Sequence, residues 1–304
     1  MDQMNWTTRW ETWRKLMGAP SSRQRRQINE FLRTRPCLLY WGDSWFSTPL
    51  YLNLARQSIL GIEGMAMLVG KPGASAAELF GASRIRTMAG RIAASPFDVL
   101  CISAGGNDQL SGQLRSAFPD WMPPRRRAKL DADAAFEHLR AQGGFERLHG
   151  RYAALLDGLA AVRRARPSFR VLAHGYAPII RIGAKADLTV ANAGLIAWLA
   201  GDLGPWLWAP MQHVLADHDQ ARRFAHRLLV DGMRDSVLAP LAAHRDYRGF
   251  FHHVDFSELP AARKDGFWYD EIHPTEAGFG ALAMCFNARL RELLPTAKQD
   301  AVKG

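Results

Sequence analysis

Four short stretches of this chain hold residues that could act together on one bond. Ser44 stands in Gly42-Asp43-Ser44-Trp45, Gly73 in Gly73-Ala74-Ser75, Asn107 in Gly105-Gly106-Asn107-Asp108, and Asp270 with His273 in Asp270-Glu271-Ile272-His273-Pro274. A serine hydroxyl is a weak nucleophile until a neighbouring base takes its proton. An imidazole can be that base near neutral pH, and a carboxylate can hold it in place. Amide and backbone N–H groups stabilise the oxyanion that forms when a carbonyl is attacked. The set is therefore an inventory for acyl transfer. Taken singly, each stretch has an ordinary explanation. Gly-Asp-Ser alone reads as a turn in which glycine supplies the dihedrals and Asp43 or Ser44 caps a helix.

Alternating strands and helices would bring the four stretches together. Apolar runs predict strands ending just before Ser44, then over 62–69, 97–103, 169–176 and 249–256. Helical patterning comes after each of them: about 50–59, 75–88, 134–166, 213–244 and 275–294. This alternation predicts an α/β fold with a mostly parallel sheet, and almost wholly apolar strands suit a sheet covered on both faces. Ser44, Gly73, Asn107 and the Asp270/His273 pair then all fall beyond strand carboxyl ends, where loops of an open parallel sheet meet in one crevice. Ahead of the first strand, Trp6, Trp10, Trp13 and Met17 have the spacing of one helical face, and a second helix is expected after Pro20-Ser21-Ser22. The organisation expected is a single domain over 1–304, with a helical extension (1–35) packed on it. Insertions near the site mouth are expected at about 109–133 and 193–211.

In these blocks the chain resembles the SGNH (GDSL-type) family of serine esterases and lipases. The match runs in the family's order from about residue 37 to 275, with Trp45 where many members have leucine. The Gly-x-Asn-Asp and Asp-x-x-His-Pro stretches are the specific parts, and the Gly73 block is loose. The resemblance implies a flavodoxin-like three-layer α/β/α sandwich with five parallel strands in the order 2-1-3-4-5. It implies Ser44 as nucleophile, His273 as base and Asp270 as the carboxylate that orients it. The backbone N–H groups of Ser44 and Gly73 and the Asn107 amide become the oxyanion hole. Pro274 and Thr275 open the last helix, whose positive end is expected to disfavour a protonated His273.

Several other residues have a bland and a functional reading. Asp43 is expected to order the Ser44 turn, and Asp108 to cap the segment after Asn107. Trp45 either packs under the loop or lines the acyl site. Trp198, Trp206 and Trp208 lie in an apolar segment broken by glycine and proline, which reads as a substrate-binding lid or as core. Arg125-Arg126-Arg127 reads as a solvated face or as an attractor for an anionic headgroup. Lys71 reads as solvated. No histidine, cysteine or carboxylate spacing suggests a metal site, and no cofactor is implied.

The 304 residues are 48% hydrophobic and 22% charged, an ordinary globular composition. Three scattered cysteines (Cys37, Cys101, Cys285) exclude a disulfide framework. Residues 1–14 hold no apolar run like that of a classical signal peptide, and no stretch is a transmembrane span. A cytoplasmic protein is expected, with export by a specialised route left open. The formal charge of +10 allows contact with an anionic lipid surface, while no motif points to a specific nucleic acid. The leading expectation is a hydrolase of acyl esters or thioesters, lipid-like substrates favoured, acting on a small-molecule or lipid ester. The alternatives are a carbohydrate O-deacetylase or an acyltransferase on the same site, and, from another class, a basic module that binds anionic membrane or nucleic acid. The sequence leaves the oligomeric state open.

Overall fold

The computed structural model describes residues 5–18, 21–47, 52–186, 204–264 and 266–303. Six strands form one parallel sheet: β1 (Asn5–Thr7), β2 (Cys37–Gly42), β3 (Met65–Gly70), β4 (Val99–Ser103), β5 (Arg170–His174) and β6 (Phe251–Val254). Their spatial order is β1-β3-β2-β4-β5-β6. The last five strands reproduce the expected 2-1-3-4-5 order. The sixth is β1, which the tryptophan spacing had assigned to a helix.

The correction at the N-terminus has a physical cause. β3 would otherwise be an open edge with unpaired backbone groups, and Asn5–Thr7 pairs with Met65–Met67 along it. The β-forming Trp6 and Thr7 suit this role, and Trp6 is left 46% exposed instead of facing inward. The helix starts only at Trp10 and ends at Gly18. Within it, the buried Trp13 stacks on Phe97 at 4.8 Å and donates its indole N–H to Ser95 Oγ at 3.0 Å. The second helix, Ser22–Thr34, begins with a capping box between Ser21 and Gln24, as its polar start suggested.

β2 and β4 are buried along their whole length, so their alternating side chains feed two cores. Leu39, Trp41, Leu100 and Ile102 enter one, with helices Ala82–Ala93 and Gly144–Gly158 over them. Leu38, Tyr40, Val99 and Cys101 enter the other, under helices Leu54–Leu60 and Glu276–Leu293. The arrangement is an α/β sheet flanked by helices.

The long helical stretches are interrupted where glycine or a change of pitch intervenes. The 75–88 region splits into Ala76–Leu79 and Ala82–Ala93 at Gly81. The 134–166 region becomes Ala132–Arg140, Gly144–Gly158 and Ala160–Ala165, with Gly143 at φ 70° between the first two. The 213–244 region is a helix (His218–Arg227), an eleven-residue π-helix (Leu228–Leu238) and a short helix (Ala239–Ala243). Among the described residues no helix is long and apolar enough to cross a membrane.

Candidate active site

The site begins where β2 ends. Gly42 lies so close to β4 that a Cβ on it would stand 2.6 Å from the carbonyl oxygen of Ser103, a contact only glycine permits. The chain then turns: the Asp43 N–H donates to the Ser103 carbonyl at 2.9 Å, and a single helical turn runs over Ser44–Ser47. Asp43 is 1% exposed, yet its carboxylate is fully occupied. It accepts the Trp45 N–H at 3.0 Å, the Ser103 hydroxyl at 2.7 Å and the Tyr176 hydroxyl at 2.6 Å. Burial raises its pKa, and these three donors work against that rise. Asp43 thus orders the turn, through its carboxylate as well as through the backbone expected from the sequence.

From the other end of the chain, the loop after β6 delivers His273. Ser44 Oγ and His273 Nε2 are 3.2 Å apart, although 229 residues separate them. His273 Nδ1 lies 2.9 Å from Asp270 Oδ2 and 3.2 Å from Oδ1. Asp270 Oδ1 also accepts the backbone N–H groups of Ile272 and His273, at 2.9 and 2.7 Å. The carboxylate is 2% exposed and the imidazole 16%, so the ring meets solvent only at its edge. With Nδ1–H donated to Asp270, the Nε2 lone pair is left to face the Ser44 hydroxyl.

Burial opposes a charge on the His273 ring. The Asp270 carboxylate, its hydrogen bond and the charge of Asp43 outweigh burial and hold the pKa above the ordinary imidazole value. This corrects the expectation from the last helix. Its N-terminus does lie close by, with Thr275 capping the Gly278 N–H at 3.1 Å, but a partial charge of about half a unit at a helix end is outweighed by full carboxylate charges nearer the ring.

The Gly73 and Asn107 loops are stitched to each other. The Asn107 amide donates one N–H to the Ala74 carbonyl at 3.1 Å, which leaves the amide's second N–H outside that bond. Asp108 accepts the Ala76 N–H at 2.7 Å. Its carboxylate therefore holds the opposite loop, and the local cap expected from sequence is not its role. Gly73 has φ 73° and no atom near its would-be Cβ, so backbone conformation, not crowding, selects glycine there. Asn107 lines the cleft at Ser44; Gly73 is not among its lining residues.

Tyr176 and Glu271 went unassigned in the sequence. Besides donating to Asp43, the Tyr176 hydroxyl accepts the Gly106 N–H at 3.1 Å, linking the Ser44 turn to the Asn107 loop. Glu271 is fully buried, and its carboxylate accepts the N–H groups of Gly183 (2.9 Å), Leu207 (2.7 Å) and Trp208 (3.1 Å). It pins the segment around 207 to the loop that carries His273. The only sequence signal was a carboxylate between two predicted site residues in an otherwise apolar neighbourhood.

The tryptophans separate by role. Trp45 is 3% exposed, stacks on His174 at 5.4 Å and meets Phe279 edge-on, and it also lines the cleft. Its packing reading is realised. Trp206 stands edge-on to the His273 ring at 5.3 Å. Trp208 turns its ring to His218 at 4.4 Å. Trp198 and most of the 193–211 segment lie outside the described residues. Arg125 and Arg127 pair with Asp120, Arg127 also covers the Trp121 ring, and none of Arg125, Arg126 and Arg127 lines the cleft. Lys71 pairs with Glu78 at 3.0 Å. No group of three or more metal-ligating side chains occurs among the described residues.

Beside Ser44 opens a narrow cleft of about 60 Å³. Its wall is mostly apolar, and much of it comes from Ala225, Leu228, Leu229 and Met233. Those residues had been assigned only helical patterning.

No protein-family model and no curated protein matches the chain. Solved structures similar to it include a family 3 carbohydrate esterase of Clostridium thermocellum, at 13% identity over 85% of this chain and 96% of that one, with a TM-score of 0.43. A family 3 carbohydrate esterase from Talaromyces cellulolyticus is similar at 14% identity over 85% and 97%, TM-score 0.41. An extracellular lipase from Streptomyces rimosus is similar at 13% identity over 83% and 99%, TM-score 0.41. At these identities and scores no activity passes from them to this chain, and the geometry around Ser44 stands on its own.

Proposed function

We propose that this protein is a serine hydrolase of carboxylic esters that works through an acyl-enzyme on Ser44. The observation that carries the reading is the relay Ser44 Oγ–His273 Nε2–Asp270, at 3.2 and 2.9 Å, assembled part-buried from the two ends of the chain. In this reading Ser44 Oγ attacks the acyl carbonyl as His273 Nε2 takes its proton, and the imidazolium is stabilised by Asp270. The protonated ring then gives its proton to the leaving oxygen. Water, activated by the same ring, resolves the acyl-enzyme and regenerates the serine. The oxyanion falls to the backbone N–H groups of Ser44 and Gly73 and the side-chain amide of Asn107. The nearness of Asn107 to Ser44 in one cleft supports that assignment.

The apolar wall supports acyl esters or thioesters of lipid-like character over the small polar esters of a carbohydrate O-deacetylase. The test is hydrolysis of p-nitrophenyl esters from acetate to palmitate, with Ser44→Ala as control. Turnover that falls by three orders of magnitude or more in Ser44→Ala is expected. Activity confined to acetate would favour the deacetylase. A folded wild-type protein with no turnover on any ester would move the reading to a binding module.

A further inference from the structure

The cleft distinguishes the two arms of an ester. Ser44 and Asn107 line it, whereas His273 and Trp206 do not. The leaving oxygen must come within reach of His273 Nε2 to be protonated, so the alcohol arm lies on the side where Trp206 meets the His273 ring. The acyl arm points the other way, into the cleft. We propose that this cleft is an acyl chamber whose chain selectivity is set by Leu228, Leu229 and Met233 of the π-helix, so that the protein chooses its ester by the acid and not by the alcohol. The proposal rests on the acyl-enzyme reading of Ser44.

The wall is built for this. Leu228 and Met233 are five residues apart, which is about 140° around an α-helix. The i→i+5 bonding of Leu228–Leu238 widens the turn and brings both to one wall. The π-helix cannot retreat toward the core, because a Cβ on Gly232 would already stand 2.3 Å from the Phe145 ring. Met233 packs against the loop after β4: its sulfur is 3.2 Å from where a Cβ on Gly105 would sit. A flexible thioether there adapts to chains of different length. Asp43, the one carboxylate among the lining residues, is already engaged by three donors, so it offers a substrate no free charge.

Two ester series test the proposal: p-nitrophenyl esters from acetate to decanoate, and alkyl acetates from methyl to octyl. For the acyl series, kcat/KM is expected to rise about fourfold per methylene, the equivalent of ~0.8 kcal/mol per buried CH₂, until the chain fills the cleft. Over the whole alcohol series the change is expected to stay within about threefold. In Leu229→Trp the octanoate-to-acetate ratio of kcat/KM should fall at least tenfold, and in Met233→Ala the chain length at which the rise stops should increase. A steep alcohol series beside a flat acyl series, with Ser44 still modified by diisopropyl fluorophosphate, would overturn the chamber alone. So would an unchanged ratio in a folded Leu229→Trp protein. Absence of both Ser44 modification and turnover would overturn the acyl-enzyme reading together with it.

Discussion

Under the Ser44 turn lies a histidine whose protonation the fold opposes. His174 ends β5, is fully buried, and stacks on Trp45 at 5.4 Å with an interplanar angle of 19°. Its Nδ1 lies 2.6 Å from the Gly175 carbonyl, and its Nε2 has no hydrogen-bond partner among the described residues. Burial lowers its pKa from 6.5 to about 4, with the bond to Gly175 opposing. In the unfolded chain this ring takes a proton as pH falls through 6.5; in the folded chain it does so only near 4. Between those values the unfolded state binds more protons, so stability is lost as pH falls. Between pH 7 and 4.5 the loss from this one group is about 2 kcal/mol. His252 and His253 are also lowered by burial, and His273 is raised, so the whole-protein profile mixes several groups. His174→Phe isolates the effect, because it keeps an aromatic ring against Trp45 and removes the titration. Urea unfolding of both proteins followed by tryptophan fluorescence at pH 7 and 4.5 gives the difference directly. Whatever offset the lost Gly175 bond produces at pH 7, the variant should gain about 2 kcal/mol on the wild type by pH 4.5. Equal pH dependence in the two proteins, within about 0.5 kcal/mol, would refute the reasoning.

Three further outcomes are expected at the site. Asn107→Ala should lower kcat by about 10²–10³, as loss of one oxyanion donor typically does, with little change in Tm, since its described bond is a single one to the Ala74 carbonyl; a loss below tenfold removes the amide from the oxyanion set. The pH dependence of kcat/KM should rise along a limb whose apparent pKa lies above 6.5, because the base must be neutral and Asp270 and Asp43 favour its charged form. Asp270→Asn should move that limb to lower pH while reducing turnover, and a limb that stays in place would separate Asp270 from the base. Tyr176→Phe should cost about 1.5–3 kcal/mol of stability, since a buried carboxylate loses a donor, and should lower kcat more than it changes KM; calorimetry and kinetics that match the wild type would show that the Asp43–Tyr176–Gly106 chain positions nothing.

The parallel sheet and the central relay were legible because both are written in short-range patterns. Apolar runs such as Leu38–Trp41 and Val99–Ile102, set between turn signals, read as strands covered on two faces, and each ends in a loop with a polar residue of known chemistry. β1 was not legible: Trp6 and Trp10 fit a helical spacing, and only the vacant edge of β3, a tertiary fact, favours a strand there. Asp108 was assigned to its own loop because local capping is all that sequence neighbours reveal, whereas its partner Ala76 is 32 residues away. Tyr176 and Glu271 escaped for the same reason, since their partners belong to other loops. The π-helix was hidden by its composition, which alternates well enough to pass for an α-helix. The basis for expecting lipid-like substrates shifted accordingly, from the tryptophans of the 193–211 segment to the wall formed by Leu228, Leu229 and Met233.

The central claim is that Ser44 is a nucleophile activated by His273. Reaction of the folded protein with a small fluorophosphonate, followed by intact mass and peptide mapping, tests it most directly. The account predicts one adduct per chain, on the peptide that contains Ser44, forming at least a hundredfold more slowly in His273→Ala. A folded, monodisperse protein that takes up no adduct, or takes it up on a different residue, would contradict it.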